Sequence, residues 1–124
     1  MGFVGARDGD GRLVLTMDWD PDKGGRPGFF HGGAIAGLLE AAAYATLADA
    51  LDDTDRPVIK PINVTVSFMR GAREKPLRAH ATIERLGRRI ANVEAVAWQD
   101  DPATPIAIAQ MNIMLERRSA VQPS

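Results

Sequence analysis

The stretch from His31 to Leu51 most constrains how this chain folds, because Gly32 and Gly33 open a run that is apolar on nearly every side. Between Ala34 and Ala48, the one residue that titrates near neutral pH is Glu40. Ala36, Ala43, Tyr44 and Leu47 share its face at helical spacing. A helix that is hydrophobic all round is ordinarily buried. The spacing therefore predicts a buried helix from about Gly33 to Leu51, fraying into Asp52-Asp53-Thr54-Asp55. A lone carboxylate on such a helix requires a partner, a proton or a task. Burial raises the pKa of a carboxyl group, which suits a general base near neutrality.

Period-two alternation marks the strands on either side of this helix. Phe3 to Arg7 and Arg12 to Trp19 form a predicted hairpin, with Asp8-Gly9-Asp10-Gly11 supplying the tight turn. Asp20 to Phe30 carries Pro21, Gly24, Gly25, Pro27 and Gly28 and reads as loop. Phe29 and Phe30 precede the helix, where exposed aromatics suit a ligand wall. Beyond it, Pro57 and Pro61 bracket the approach to a strand in which Ile62, Val64, Val66 and Phe68 alternate with Asn63, Thr65, Ser67 and Met69. Leu77, Ala79, Ala81 and Ile83 mark the next strand, followed by a Gly87-Arg88-Arg89 turn, then Ile90 to Trp98 and Ile106 to Leu115. Residues 1–116 thus make one α+β domain, and 117–124 a short polar tail. The order β-β-α-β-β-β-β implies one long helix covered by a curved, mostly antiparallel sheet of five or six strands. Only a further cap would hide the far side of that helix, and a second copy of the chain supplies one.

Composition narrows the function classes. A formal net charge of -1 gives no electrostatic case for wholesale binding of nucleic acid or a membrane surface. The absence of cysteine excludes disulfides, thiolate chemistry and cysteine zinc sites, and suits a reducing cytoplasm. Met1 to Asp10 lacks a signal-peptide layout, and the alanine-rich helix meets Asp49 too soon for a membrane span. A soluble cytoplasmic protein is expected. Asp49, Asp52, Asp53 and Asp55 read as a solvated helix end, and His31 with His80 makes no zinc set, so no metal is expected.

Gly32 and Gly33 leave unpaired N–H groups at the positive end of the helix dipole, an arrangement able to stabilise an oxyanion. Taken alone, His31-Gly32-Gly33 is more simply a turn before a helix, since glycine pairs are common turn formers, and Glu40 is equally a structural core acid. Gly33 and Glu40 lie about 10 Å apart along a helix axis, too far for one helix to serve a single carbonyl from both. Two antiparallel helices from two chains would set one chain's glycine amides opposite the other's Glu40. The spacing favours a site shared across a homodimer.

His31-Gly32-Gly33 followed by Glu40, on an alanine-rich helix between a hairpin and four strands, resembles the hot-dog-fold acyl-CoA thioesterases. The PaaI-like and 4-hydroxybenzoyl-CoA thioesterases that carry a helical glutamate are the nearest types. Val64-Thr65-Val66-Ser67-Phe68-Met69-Arg70 and Gly87-Arg88 also match the family's pattern. The resemblance implies hydrolysis of a thioester, with the Gly32 amide, joined by Gly33, polarising its carbonyl. It implies that Glu40 of the partner chain activates water or attacks to form an anhydride, and that His31 shapes the turn. Coenzyme A would lie along the dimer seam as part of the substrate, with no separate cofactor. Arg70, Arg73, Arg88 and Arg89 are the candidates for its phosphates, and Phe29, Phe30 and Tyr44 for an aromatic or medium-chain acyl pocket. A dimer of dimers would use the sheet face bearing Asn63, Thr65 and Ser67.

This chain departs from the family at two places. Gly25 stands where many relatives carry Asn or Gln, and Tyr44 where they carry a small polar residue. Both features support the rival reading, a non-catalytic acyl-CoA-binding hot-dog protein. A hot-dog enoyl-CoA hydratase is disfavoured, since the helix start carries no paired Asp and His. His80, in mid-strand, is expected at the surface or at a sheet interface.

Overall fold

The structure, a computed structural model, describes residues 2–51 and 57–116. The expected fraying over Asp52–Asp55 and the polar tail 117–124 lie outside the described residues. The hairpin pairs β1 (Val4–Arg7) with β2 (Leu13–Met17). A short 3-10 turn at Pro21–Lys23 interrupts the loop before α1 (Gly32–Ala50). Four strands follow: β3 (Val58–Phe68), β4 (Leu77–Leu86), β5 (Ile90–Trp98) and β6 (Ala107–Glu116). All six strands form one antiparallel sheet in the order β1-β2-β4-β5-β6-β3.

The alternation read from the sequence decides which side chains meet the helix. Leu15, Ala79, Ala97 and Ala107 lie across from one another in register, as do Ala81, Ala95 and Ala109, and all are buried beneath α1. Ala34, Ala42 and Ala43 of the helix are buried against them. Leu38, Leu39 and Leu47 are wholly buried, and each such leucine contributes about 1.5–3 kcal/mol of transfer free energy.

The helix is not buried all round. It packs chiefly over β4 and β5. Ala36, Gly37, Glu40 and Tyr44 remain partly accessible, and Ala48 is exposed. Of the residues sharing the Glu40 face, Ala43 and Leu47 are covered and Ala36 and Tyr44 are not. An apolar sequence cannot reveal which half of a helix the sheet reaches, and here the described residues of one chain cover only one half.

Pro61 lies inside β3 rather than before it, beside an irregularity in the pairing between Pro61 and Asn63. The position tolerates proline because β3 is an edge strand, where a missing N–H and a bulge are least disruptive. Asn63, Thr65 and Ser67 share the sheet face turned away from α1, opposite Asn112, Gln110 and Ile108. His80 is on the same outer face, with its ring 4.7 Å from that of Trp98. Among the described residues, no helix is long and apolar enough to cross a membrane.

Two measurements check this packing. Ala43 has no space for a larger side chain, so Ala43→Leu should destabilise the protein by about 1–3 kcal/mol in urea unfolding. Burial first, then the charge of Arg12, push the His80 pKa below its ordinary value, against smaller opposing effects from its backbone and from Asp8 and Glu94. Its Nδ1 is buried without a hydrogen-bond partner. A lowered folded pKa means that the unfolded chain takes up the proton first. Stability should therefore be full above about pH 6.5 and decline as pH falls below that value. His80→Gln should flatten the decline in a pH series of melting temperatures.

Candidate active site

His31 is the residue that caps α1. Its backbone is extended, its Nδ1 accepts a hydrogen bond of 3.0 Å from the Ala34 N–H, and its carbonyl accepts from Ile35. With Nδ1 accepting, the neutral ring carries its proton on Nε2. The cap satisfies Ala34 and leaves the preceding amides. The N–H groups of Gly32 and Gly33 find no acceptor among the described residues. They are two adjacent donors at the positive end of the helix.

Backbone bonds fix this terminus from both sides. The His31 N–H donates to the Lys23 carbonyl at 2.8 Å, and the Phe30 N–H to the Ala72 carbonyl at 2.9 Å. Gly25 presses on the cap: a Cβ there would stand 3.1 Å from both Cα and Cβ of His31. The position therefore serves as a backbone contact in this chain. At Gly32 a Cβ would meet only the Phe68 ring, at an ordinary 3.5 Å. The fold of one chain does not require glycine at that position.

An open pocket of about 410 Å³ adjoins the terminus, lined in part by Phe29, His31, Gly32, Ile35, Phe68 and Arg70. Phe29 lies flush on Gly71, where a Cβ would fall 2.5 Å from the ring. The guanidinium carbons of Arg26 and Arg73 stand 4.2 Å and 4.5 Å from its centroid, both in cation–π range. Arg26, Arg70 and Arg73 form no ion pair among the described residues. Buried Gln99 positions the loop: its Oε1 accepts from the Arg73 N–H, and its Nε2 donates to the carbonyls of Arg73 and Lys75.

Phe30 is not the exposed wall expected from its position. It is 5% exposed and packs edge-on against Trp19, with 5.0 Å between ring centres. Its ring belongs to the core, and it only borders the pocket. Glu40 and Tyr44 do not line that pocket. Glu40 lies on the uncovered half of α1, partly accessible and without a hydrogen bond or ion pair among the described residues. Burial, and then the charge of Glu40, push the Tyr44 phenol up from its ordinary value. Its hydroxyl therefore stays protonated near neutral pH.

The structure thus gathers His31, Gly32, Phe29, Phe30 and Arg70 at one pocket, with Arg73 against Phe29. Arg88 and Arg89 line a separate recess of about 450 Å³ at the β4–β5 turn. The ten residues of β4 separate the two groups of arginines, a span of about 33 Å. Asp49 forms a surface ion pair with Arg7 at 2.7 Å. No cluster of three metal-binding side chains occurs among the described residues. The sequence reading missed Arg26, Phe68 and Gln99 as parts of this site. Phe68 ends an alternating strand and was visible as an aromatic, but Arg26 sits in an irregular loop and Gln99 just past a strand. No periodicity marks either position.

Removing the cap tests the local geometry. His31→Ala should destabilise the protein by about 1 kcal/mol in urea unfolding, whereas His31→Asn, itself a good cap, should lose little.

Residues 21–114 match the family profile of the acyl-CoA thioesterase N-terminal domain. A search of curated protein sequences found no match. Among solved structures, a Bacillus halodurans protein crystallised with coenzyme A superposes with a TM-score of 0.82 at 21% identity, over 94% of this chain and 75% of its own. A Ralstonia eutropha protein related to phenylacetic acid degradation gives 0.77 at 26% identity, over 91% of this chain and 84% of its own. A mutant thioesterase from Pseudomonas aeruginosa gives 0.81 at 22% identity, over 94% and 82% respectively.

Proposed function

The chain belongs to the acyl-CoA thioesterase family and has the hot-dog fold, and from that premise we propose that it hydrolyses acyl-CoA at a site shared by two copies of itself. The observation that carries this reading is the pair of unsatisfied Gly32 and Gly33 amides at the start of α1, where Gly32 lines a pocket. Such donors stabilise the negative charge that develops on a thioester oxygen. The absence of a Cβ at Gly32 gives that oxygen close access to the backbone.

Glu40 supplies the other half from the second copy. A twofold axis beside edge strand β3 continues the sheet antiparallel into that copy and keeps both helices on one face. The two uncovered helix faces then run side by side in opposite directions, setting one Glu40 towards the other chain's glycine amides. The same arrangement reunites the arginines. The Arg89 carbonyl accepts a hydrogen bond from the N–H of Leu115, which pairs with Ile59 near the start of β3. Antiparallel pairing carries that end of the second copy towards Phe68 and Gly32 of the first. Arg70 and Arg73 of one chain and Arg88 and Arg89 of the other then flank one substrate, where guanidinium groups suit its phosphates.

In the reaction, Glu40 takes a proton from water as the oxygen attacks the thioester carbonyl, whose own oxygen gathers charge against the Gly32 and Gly33 amides. The intermediate collapses by breaking the C–S bond. Coenzyme A leaves as the thiol, taking its proton from the Glu40 carboxyl, and the free acid remains. Direct attack by Glu40 would give a mixed anhydride that water then opens. Phe29 and Tyr44 would favour an aromatic or medium-length acyl group.

Thiol release from a panel of aliphatic and aromatic acyl-CoAs tests this reading. Wild type should release coenzyme A, and Glu40→Gln should lower kcat/KM by at least about a hundredfold. Gly32→Ala should lower it too while leaving the melting temperature nearly unchanged. Tight acyl-CoA binding without release by wild type would instead identify a non-catalytic binder.

A further inference from the structure

The outer face of the sheet carries a ladder of asparagine amides that stops at the open edge. Asn92 on β5, Asn112 on β6 and Asn63 on β3 lie in register across the three strands. Asn92 Nδ2 donates to Asn112 Oδ1, and Asn112 Nδ2 donates to Asn63 Oδ1 at 2.8 Å. Every step donates outward, so the ladder ends on Asn63 Nδ2, which has no acceptor among the described residues. Asn63 lies within Val58–Phe68, next to the irregularity in the pairing with β6. Beyond β3 the sheet has no further strand among the described residues.

We propose that Asn63 sets the register of the edge-to-edge dimer, with the twofold axis passing beside it and the two ladders joined into one. The inference rests on the shared-site reading for its partner, a second copy of this chain, and adds the alignment. In an antiparallel pair related by a twofold axis, the residue on the axis faces its own mate, with about 4.5–5.5 Å between Cβ atoms. Few side chains complement themselves at that distance. An amide does: each Nδ2 donates to the other's Oδ1, which accepts a second hydrogen bond beside the one from Asn112. A carboxylate or ammonium would repel its mate, and an alkyl group would leave the alignment unspecified.

Side-chain instruction is required here because the backbone ladder is imperfect. Pro61 offers no N–H, and the irregularity beside it disturbs the neighbouring positions. A slip of one residue would set Asn63 opposite its mate's Val64, whose side chain points to the helix face of the sheet. With the axis at Asn63 and the extra residue at the irregularity allowed for, Ser67 of each copy lies beside Val58 of the other, both on the outer face, and nearly the whole strand is paired. This alignment also delivers the Arg89 turn of one copy to the Gly32 end of its neighbour.

The chain has no cysteine, so a single introduced thiol has only its own mate to join. Under mild oxidation, Asn63→Cys should give a covalent dimer on a non-reducing gel. Thr65→Cys should stay largely unlinked, because its mate lies four positions along the strand, about 13 Å away and outside disulfide reach. Asn63→Asp, a second route that needs no oxidation, should weaken the dimer at pH 7 by at least about tenfold in sedimentation equilibrium. A monomeric wild type, cross-linking at position 65 as fast as at 63, or an Asn63→Asp dimer as tight as that of wild type would overturn the proposal. Thioester assays report separately: an active enzyme linked at 65 refutes only the register, and an inactive one linked at 63 refutes only the activity.

Discussion

Close approach between an alanine-rich helix and an alanine-lined sheet is the contact on which the molecule depends. Ala34, Ala42 and Ala43 on one side meet Ala79, Ala95, Ala97, Ala107 and Ala109 on the other, and all are at most 2% exposed. Small residues on both surfaces let the helix lie low over β4 and β5, and the long aliphatic chains fill the remaining space. Packing of that kind tolerates little change in volume, so it fixes where the helix begins and what its first turn faces.

The chemistry follows from that placement. The start of α1 is fastened to the Lys23 and Ala72 carbonyls through its two preceding residues. His31 spends its Nδ1 lone pair on Ala34, and this selective capping is what frees the glycine amides. Around them the pocket is apolar at its walls and positive at its rim, where Arg26 and Arg73 lean on Phe29. Under the proposed function, an anionic thioester substrate would meet both properties, with phosphates for the rim and an acyl carbonyl for the amides.

The same helix placement leaves matching surfaces bare. One half of α1, with Glu40 on it, and the length of β3 are both without cover among the described residues of a single chain. An edge strand with unpaired backbone groups is a template for another strand. Joining two such edges would cover the helices and bring together groups that one chain holds far apart. The family membership makes the enzyme activity plain, and on the shared-site proposal that activity depends on association.

Residues near one another in the chain carried most of what could be read in advance. Alternation in β4, β5 and β6 gave their faces, because successive side chains in a strand point to opposite sides whatever the surroundings. The glycines after His31 and the long apolar run gave the start and extent of α1 to within one residue. Local geometry determined those features, and with them the α+β architecture. Tertiary structure alone decided which half of α1 is covered, that Phe30 turns inward, that Pro61 falls inside an edge strand, and that Arg26 and Arg73 both stack on the Phe29 ring. It also placed Arg88 and Arg89 at the far end of β4 and aligned Asn92, Asn112 and Asn63. Each of these depends on distances between segments remote in sequence, which are set by how closely the layers pack.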